Sequence, residues 1–193
     1  MAYAVQWKPG HPYYASRNGV CMKGAIFYSG QYGSTAQYAD WISEASGLPV
    51  FNVKQASVDP SEFDFVVLGS SVIIYKLTIR KWVARHLPDL LNRPVLLYTV
   101  SGAAPGPKLD GWVHKSLPAS LVSHAERFAF QGKLDMDSVG WWTRTVLKIG
   151  AMMNKDPEGR KDELHGFDYM DRAAIDPLVA RINELIATPG SAA

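Results

Sequence analysis

The sequence predicts an α/β protein: a doubly wound parallel sheet of five strands in the order 2-1-3-4-5, with a helical insert after the last strand. Three observations predict it. Short apolar runs alternate with segments of helical period, which implies a parallel sheet, helices on both faces and right-handed crossovers. Two of the runs, Asp64 to Gly69 and Pro94 to Val100, are apolar on both faces, as strands covered by helices on each side must be. Finally, the loops at 29–35, 70–75 and 101–107 are rich in small, hydroxylated or neutral residues, and all three follow strand C-termini.

Residues 1–22 carry no useful period. Pro9, Gly10, Pro12, Asn18 and Gly19 break any element, and Tyr3, Trp7, Tyr13 and Tyr14 do not alternate. A basic region followed by an apolar core and a small-residue cleavage site is missing, so the segment reads as an added arm, or as an artefact of the start-codon choice, rather than a secretory signal. The first strand, from Gly24, leads into the loop Ser29-Gly30-Gln31-Tyr32-Gly33-Ser34-Thr35. Tyr38, Trp41, Ile42 and Ala45 then repeat at i, i+3, i+4 and i+7, drawing one apolar helix face, and Gly47 stands where the helix should stop.

Leu48 to Val53 is a second short strand, Asp59-Pro60 a turn, and Asp64 to Gly69 the third strand. Ser70-Ser71-Val72-Ile73-Ile74-Tyr75 follows as a loop. Ile79, Trp82, Val83, His86, Leu87 and Leu90 trace the next helix stripe, with Arg80, Lys81, Arg85 and Asp89 opposite. The strand Pro94 to Val100 opens into Ser101-Gly102-Ala103-Ala104-Pro105-Gly106-Pro107. A weaker helix near 110–117 and a last strand, Ala125 to Gln131, come next. The closing helix, about 171–187, shows Ile175, Leu178, Val179, Ile182, Leu185 and Ile186 at helical spacing; Pro177 inside it predicts a kink or a later start. The domain thus spans 23–187, with the insert at about 133–170 and a frayed tail at 188–193.

At 193 residues, 47% apolar and 20% charged, the composition is that of one soluble globular domain with a full core, and no run is long enough to span a membrane. Cys21 alone excludes an intramolecular disulfide and any cysteine-based metal cage, which fits a reducing cytoplasm. His11, His86, His114, His124 and His165 show no HxxxH or HxH spacing, so no metal site is expected. The net charge of +2 and pI of about 8.6 fit an anionic substrate or an anionic membrane surface better than a carrier that docks through an acidic face, and no nucleic-acid partner is indicated.

Strand, polar loop and helix start form an anion-binding geometry: free backbone N–H groups and the positive helix end face the ligand, and hydroxyls add donors. The loop lacks the Lys of a P-loop and the G-x-G-x-x-G of a dinucleotide fold. It resembles the flavodoxin phosphate loop, in which Ser29, Gly33, Ser34 and Thr35 fill the pattern and Gly30 stands where the family often has Thr. That resemblance implies FMN, its phosphate held by hydroxyls and amides without a positive side chain. In the 2-1-3-4-5 topology the three loops meet at the switch point. Candidate flavin-binding residues are therefore 29–35, then Ser70, Ser71, Val72, Ile73, Ile74 and Tyr75, then Ser101, Gly102, Ala103 and Ala104. A phosphoacceptor receiver is excluded, because no carboxylate stands at the ends of strands one and three.

The insert is far longer than an ordinary connection of about 2–6 residues. From Asp137 to Lys155, Val139, Trp142, Val146, Ile149 and Met153 line one face, with Arg144, Lys148 and Lys155 as the charges after Asp137. Trp141, Trp142, Arg144 and Lys148 suit a membrane interface or a substrate pocket; a helix packed on the sheet with snorkelling basic side chains fits equally. A flavodoxin core with a Trp-Trp-x-Arg helix, a Met-rich end, a polar loop and a closing helix resembles the quinone-dependent protoporphyrinogen oxidase family, over roughly 22–187. The resemblance implies an FMN enzyme that removes hydrides from protoporphyrinogen IX and passes electrons to a membrane quinone, as a cytoplasmic protein peripheral on the inner face of the membrane. The family's basic residue and aromatic-Gly pair after strand three are replaced here by Ile73, Ile74, Tyr75 and Lys76. Two alternatives stand beside it: a soluble electron carrier or quinone reductase with another donor, and a non-catalytic binding module on the same fold. No His, Asp or Glu stands out in a flavin-facing loop, so no catalytic side chain is assigned.

Overall fold

A computed structural model describes residues 22–134 and 167–187. Five parallel strands make the sheet: β1 (Gly24–Ser29), β2 (Val50–Asn52), β3 (Phe65–Ile73), β5 (Val95–Ser101) and β6 (Glu126–Gln131). Their order is β2-β1-β3-β5-β6, which is the expected 2-1-3-4-5. The departure is β4 (Lys76–Leu77), a two-residue strand antiparallel to the end of β3.

Alternation within the double-sided strands sorts the core into two layers. Ala25, Phe27, Val66, Leu68, Val95 and Leu97 point to one face. There they meet Trp82, Val83 and Leu90 of α2 (Arg80–Leu91), Val113 of α3 (Pro107–Ser116) and Leu121 and Val122 of α4 (Ala119–His124). Ile26, Phe65, Val67, Leu96, Tyr98 and Val100 point to the other face. They meet Tyr38, Ala39 and Ile42 of α1 (Ser34–Ser46) and Leu178, Ile182 and Leu185 of α5 (Asp176–Ala187). Each large side chain so buried stabilises the fold by about 1.5–3 kcal/mol.

Several boundaries differ from the sequence expectation. α1 buries Thr35, Tyr38, Ala39, Ile42 and Ser46, so Ala45 faces solvent rather than the core. Gly47 does close the helix, in the left-handed conformation, with its N–H on the Ser43 carbonyl. The helix after the third loop starts at Pro107, earlier than 110, because Pro at the first helical position has no N–H to lose. α5 starts later than 171: a short 3-10 turn, Ala173–Ile175, precedes it and Pro177 falls in its first turn. The segment 70–75 is not a loop, since β3 continues to Ile73.

The insert begins and ends in a narrow neck, β7 (Lys133–Leu134) paired antiparallel with β8 (Phe167–Asp168). Of the proposed arm at 1–22 all but Met22, together with the Trp-Trp-x-Arg segment with Trp141, Trp142, Arg144 and Lys148 and the tail at 188–193, lies outside the described residues. Among the described residues no helix is long and apolar enough to cross a membrane.

Candidate functional site

Strand register brings the three predicted loops to one edge of the sheet. Ser29 pairs with Ser70, Ser71 with Val100, and Ser101 with Gln131, so β1, β3 and β5 end side by side. At the first of these ends Ser29 is only 1% exposed, and its Oγ is buried with no hydrogen-bond partner among the described residues. The Tyr32 hydroxyl is in the same condition. Buried polar atoms left unpaired are costly, and two of them belong to this one loop. Behind them α1 starts at Gly33 (φ 91°) with no side-chain cap and no acidic residue in its first turn. Its first N–H groups have no acceptor within the helix, and the dipole favours an anion there.

Thr35 is buried and crosses under Gly30: a Cβ on Gly30 would stand 2.9 Å from the Thr35 Cβ. Gly30 thus keeps the loop close to the helix where the related pattern carries a larger residue. Gln31 and Gly33 are exposed. Ser34 is already engaged, since its Oγ donates to the Lys133 carbonyl (3.2 Å) and accepts from the Lys133 N–H (3.0 Å). Reasoning from the loop alone misses Lys54. From the turn after β2 its Nζ reaches the Gly30 carbonyl at 3.3 Å. The signal was not readable locally, because Lys54 is remote in sequence and meets the loop only through the β1–β2 pairing.

At the second loop, Ile74 and Tyr75 form the two-residue turn of a hairpin whose register pairs Val72 with Leu77 and Ile73 with Lys76. Both turn residues have positive φ, 47° and 61°. This is the twist a two-residue hairpin needs, ordinarily supplied by Asn or Gly. Ile74 and Tyr75 are 56% and 58% exposed. Ser70 is buried and Ser71 half-buried. Their hydroxyls lie against Thr78 Oγ1 (3.3 and 3.2 Å), and Thr78 in turn donates to the Ser29 carbonyl at 2.6 Å. Thr78 therefore ties the ends of β1 and β3 together and fixes the hairpin beside the first loop. Between loop and hairpin lies a depression of about 340 Å³ lined by Gln31, Ile73, Ile74, Lys76, Thr78 and Arg80. No carboxylate lines it. Another depression, of about 270 Å³, lies against β5, β6 and α3; it is lined by Pro105 and Gly106 of the third loop but by none of the candidate flavin-binding residues.

The third loop is tight. Ser101 Oγ donates to the Ala103 carbonyl at 2.9 Å, and Gly102 and Ala104 are exposed. Phe167, from the far end of the insert, packs on Gly102 so closely that a Cβ there would lie 2.4 Å from its ring. Phe167 also stacks on Tyr169 at 5.2 Å. Across the edge, Tyr75 meets Trp112 at 5.2 Å, with Lys108 over the indole. Phe167 and Trp112 thus join the site, and sequence periodicity gave no hint of either.

The neck is fastened to α1 at both ends. Ser34 holds Lys133, and the Tyr38 hydroxyl donates to the Gln131 carbonyl (2.8 Å) and accepts from the Asp171 N–H (3.1 Å). Burial raises the Tyr38 pKa, which keeps the hydroxyl protonated and able to donate. The Asp168 carboxyl is held below its usual range, first by the Met170 N–H and then by Lys133, whose Nζ is 3.1 Å away.

One grouping lies at the opposite edge. Asp59, His86 and Asp89 bring one ligand atom each within 4.8 Å of one another. His86 also packs on the Trp82 ring at 4.6 Å, where α2 departs from helical geometry ahead of Pro88. Asp59 precedes β3 while His86 and Asp89 lie on α2, so no single stretch of sequence brings the three together.

The FMN-dependent NADH-azoreductase from Bacillus anthracis str. Ames Ancestor, solved in complex with FMN, is 8% identical, covering 86% of this chain and 100% of that one at a TM-score of 0.45. A flavodoxin from the domain Archaea is 12% identical over 84% of this chain and 99% of that one, TM-score 0.40. Fusobacterium nucleatum flavodoxin bound to flavin mononucleotide is 16% identical over 59% and 71%, TM-score 0.40. Overlaps this loose carry no argument about activity. No curated protein matches the sequence. The family model described as Flavodoxin domain matches residues 25–161. With that match across most of a chain whose sheet order and loop placement agree with it, the protein belongs to the flavodoxin domain family.

Proposed function

We propose that this chain binds FMN at the edge formed by the 29–35, 70–76 and 101–104 segments and acts as a flavin-dependent oxidoreductase. The observation that carries the reading is the pair of unpartnered buried hydroxyls, Ser29 Oγ and Tyr32 OH, in the loop that leads into the uncapped start of α1. A phosphate monoester accepts hydrogen bonds from hydroxyls and from backbone N–H groups together, so these residues fit its oxygens. When bound, FMN supplies the hydride and electron chemistry, and the protein contributes binding, orientation and electrostatics. Ser29, Tyr32 and the first N–H groups of α1 would hold the phosphate. The hairpin turn at Ile74-Tyr75 and the 101–104 loop, backed by Phe167, would flank the ring. Thr78 keeps the first two of these segments in fixed relation.

The acceptor we favour is a quinone. The exposed Ile74 and Tyr75, with Tyr169 44% exposed on the far side, offer apolar surface beside the ring site. The donor we favour is a porphyrinogen, on the strength of the resemblance to quinone-dependent protoporphyrinogen oxidases across the insert. Contact with a membrane surface through Trp141, Trp142, Arg144 and Lys148 belongs to the same proposal. A carrier or quinone reductase fed by another donor is the competing reading.

The test is the visible spectrum of the full chain, as purified and after adding FMN. The two absorption bands of an oxidised flavin are expected, with binding lost or weakened in Ser29→Ala. Because the Ser29 hydroxyl has no partner to lose, that variant should fold with wild-type stability. A protein that stays colourless and fails to bind added FMN sinks the proposal. Anaerobic reduction of the bound flavin by protoporphyrinogen IX, against NADH, then separates the two donors.

A further inference from the structure

The inference concerns Lys54 and rests on the flavin reading above. The first loop contains no basic residue, and hydroxyls and amides alone leave the double negative charge of a phosphate monoester unmatched by any full positive charge. Lys54 is placed to match it. Asn52 fixes the turn that carries it: its Oδ1 accepts from the Lys54 N–H (3.0 Å), and its carbonyl from the N–H groups of Gln55 and Ala56 (2.9 Å each). The Val53 N–H donates to the Tyr28 carbonyl at 3.0 Å, which docks the same turn on the last residues of β1. The Lys54 backbone is therefore anchored next to the loop, and its Nζ reaches the Gly30 carbonyl at 3.3 Å. An ammonium has three donors, and a single carbonyl uses one of them. No carboxylate among the described residues pairs with Lys54.

We propose that Lys54, reaching in from outside the loop, recognises the phosphate and makes this site select a 5′-phosphorylated flavin over riboflavin. The Gly30 carbonyl holds the ammonium on the loop that runs from Ser29 into the start of α1, a segment whose unpartnered Ser29 hydroxyl and helix end favour an anion. The interaction is solvent-exposed, so it is modest and screened by salt.

The test uses the full chain and two ligands, FMN and riboflavin, with binding followed by quenching of flavin fluorescence. Lys54→Met is expected to weaken FMN by about three- to tenfold at low salt. Riboflavin affinity should not move, and Lys54→Arg should restore FMN binding. The FMN affinity of the wild type should fall more steeply with added salt than that of Lys54→Met. An unchanged FMN affinity in Lys54→Met, or an equal loss for both flavins, overturns the assignment while leaving flavin binding intact. Wild-type protein that binds neither flavin overturns the flavin reading and this inference together. Unchanged thermal unfolding of Lys54→Met checks that the effect is on the ligand and not on the fold.

Discussion

The hairpin turn at Ile74-Tyr75 carries a measurable strain. Ile74 has φ 47°, a conformation in which a β-branched side chain crowds its own backbone. The left-handed region costs an ordinary residue about 1–2 kcal/mol, and Ile lies at the upper end of that range. Replacing Ile74 by Asn, which tolerates this conformation, should recover most of it. Against this stands lost burial. Ile74 is 56% exposed, so less than half of the roughly 2 kcal/mol for burying an Ile is at stake, about 0.8 kcal/mol. The net expectation for Ile74→Asn is stabilisation by about 1 kcal/mol, or a melting temperature higher by about 2–4 °C in a domain of this size. Ile74→Gly relieves the same strain but frees the unfolded chain by about 0.5–1 kcal/mol, so it should gain less. Ile74→Val keeps the strain and loses a methylene, so it should fall slightly below wild type. Chemical denaturation of the four proteins gives the ranking directly. If Ile74→Asn is less stable than wild type while Ile74→Val is unchanged, the strain argument fails.

Other expectations follow from contacts described above. Gly69→Ala should destabilise by about 3 kcal/mol or be insoluble, because the new Cβ would stand 2.2 Å from the buried Tyr98 ring; its unfolding midpoint in urea reads this out. Ser34→Ala removes two hydrogen bonds to Lys133, and should cost about 1 kcal/mol while speeding amide exchange at Lys133. Burial holds the Tyr98 pKa well above its usual value, so the unfolded chain loses the proton first as pH rises. Stability should therefore fall above about pH 10 in the wild type and fall less in Tyr98→Phe, as thermal melts across that range would show. The depressed Asp168 contributes stability above the unfolded carboxyl range that is lost as pH drops through its folded value. The melting difference from Asp168→Asn should accordingly close below about pH 4.

The parts of the fold legible in the sequence were those with a local cause. Double-sided apolar runs gave β3 and β5 because a covered parallel strand has no polar face. Pro177 announced a late start for α5 because a helix interior cannot hold it. The Ser29 to Thr35 loop stood out because a helix beginning directly after a strand has few other reasons to be so polar. What stayed hidden depends on meetings across the fold. Ser70 to Tyr75 looked like a loop since Ile74-Tyr75 lacks the Asn or Gly that announces a two-residue hairpin. Ala45 satisfied the helical period and still faces water, because the sheet contacts a stripe centred on Tyr38 and Ile42 instead. Lys54, Thr78, Trp112 and Phe167 join the edge only through pairings between distant segments. No window of sequence contains those pairings.

The neck gives the insert the standing of a side branch. Lys133 and Asp168 are paired, and Ser34 and Tyr38 fasten the chain on either side. The entropy of bringing the two ends together is therefore met by the core, whatever lies between. Changing the length of the 32 residues from 135 to 166 should then alter folding stability only logarithmically, by about 0.6 kcal/mol per doubling. Such a branch is free to diverge, lengthen or be exchanged while the 29–35 loop stays as it is. One scaffold can in this way carry different inserts by the rewriting of a single stretch of chain.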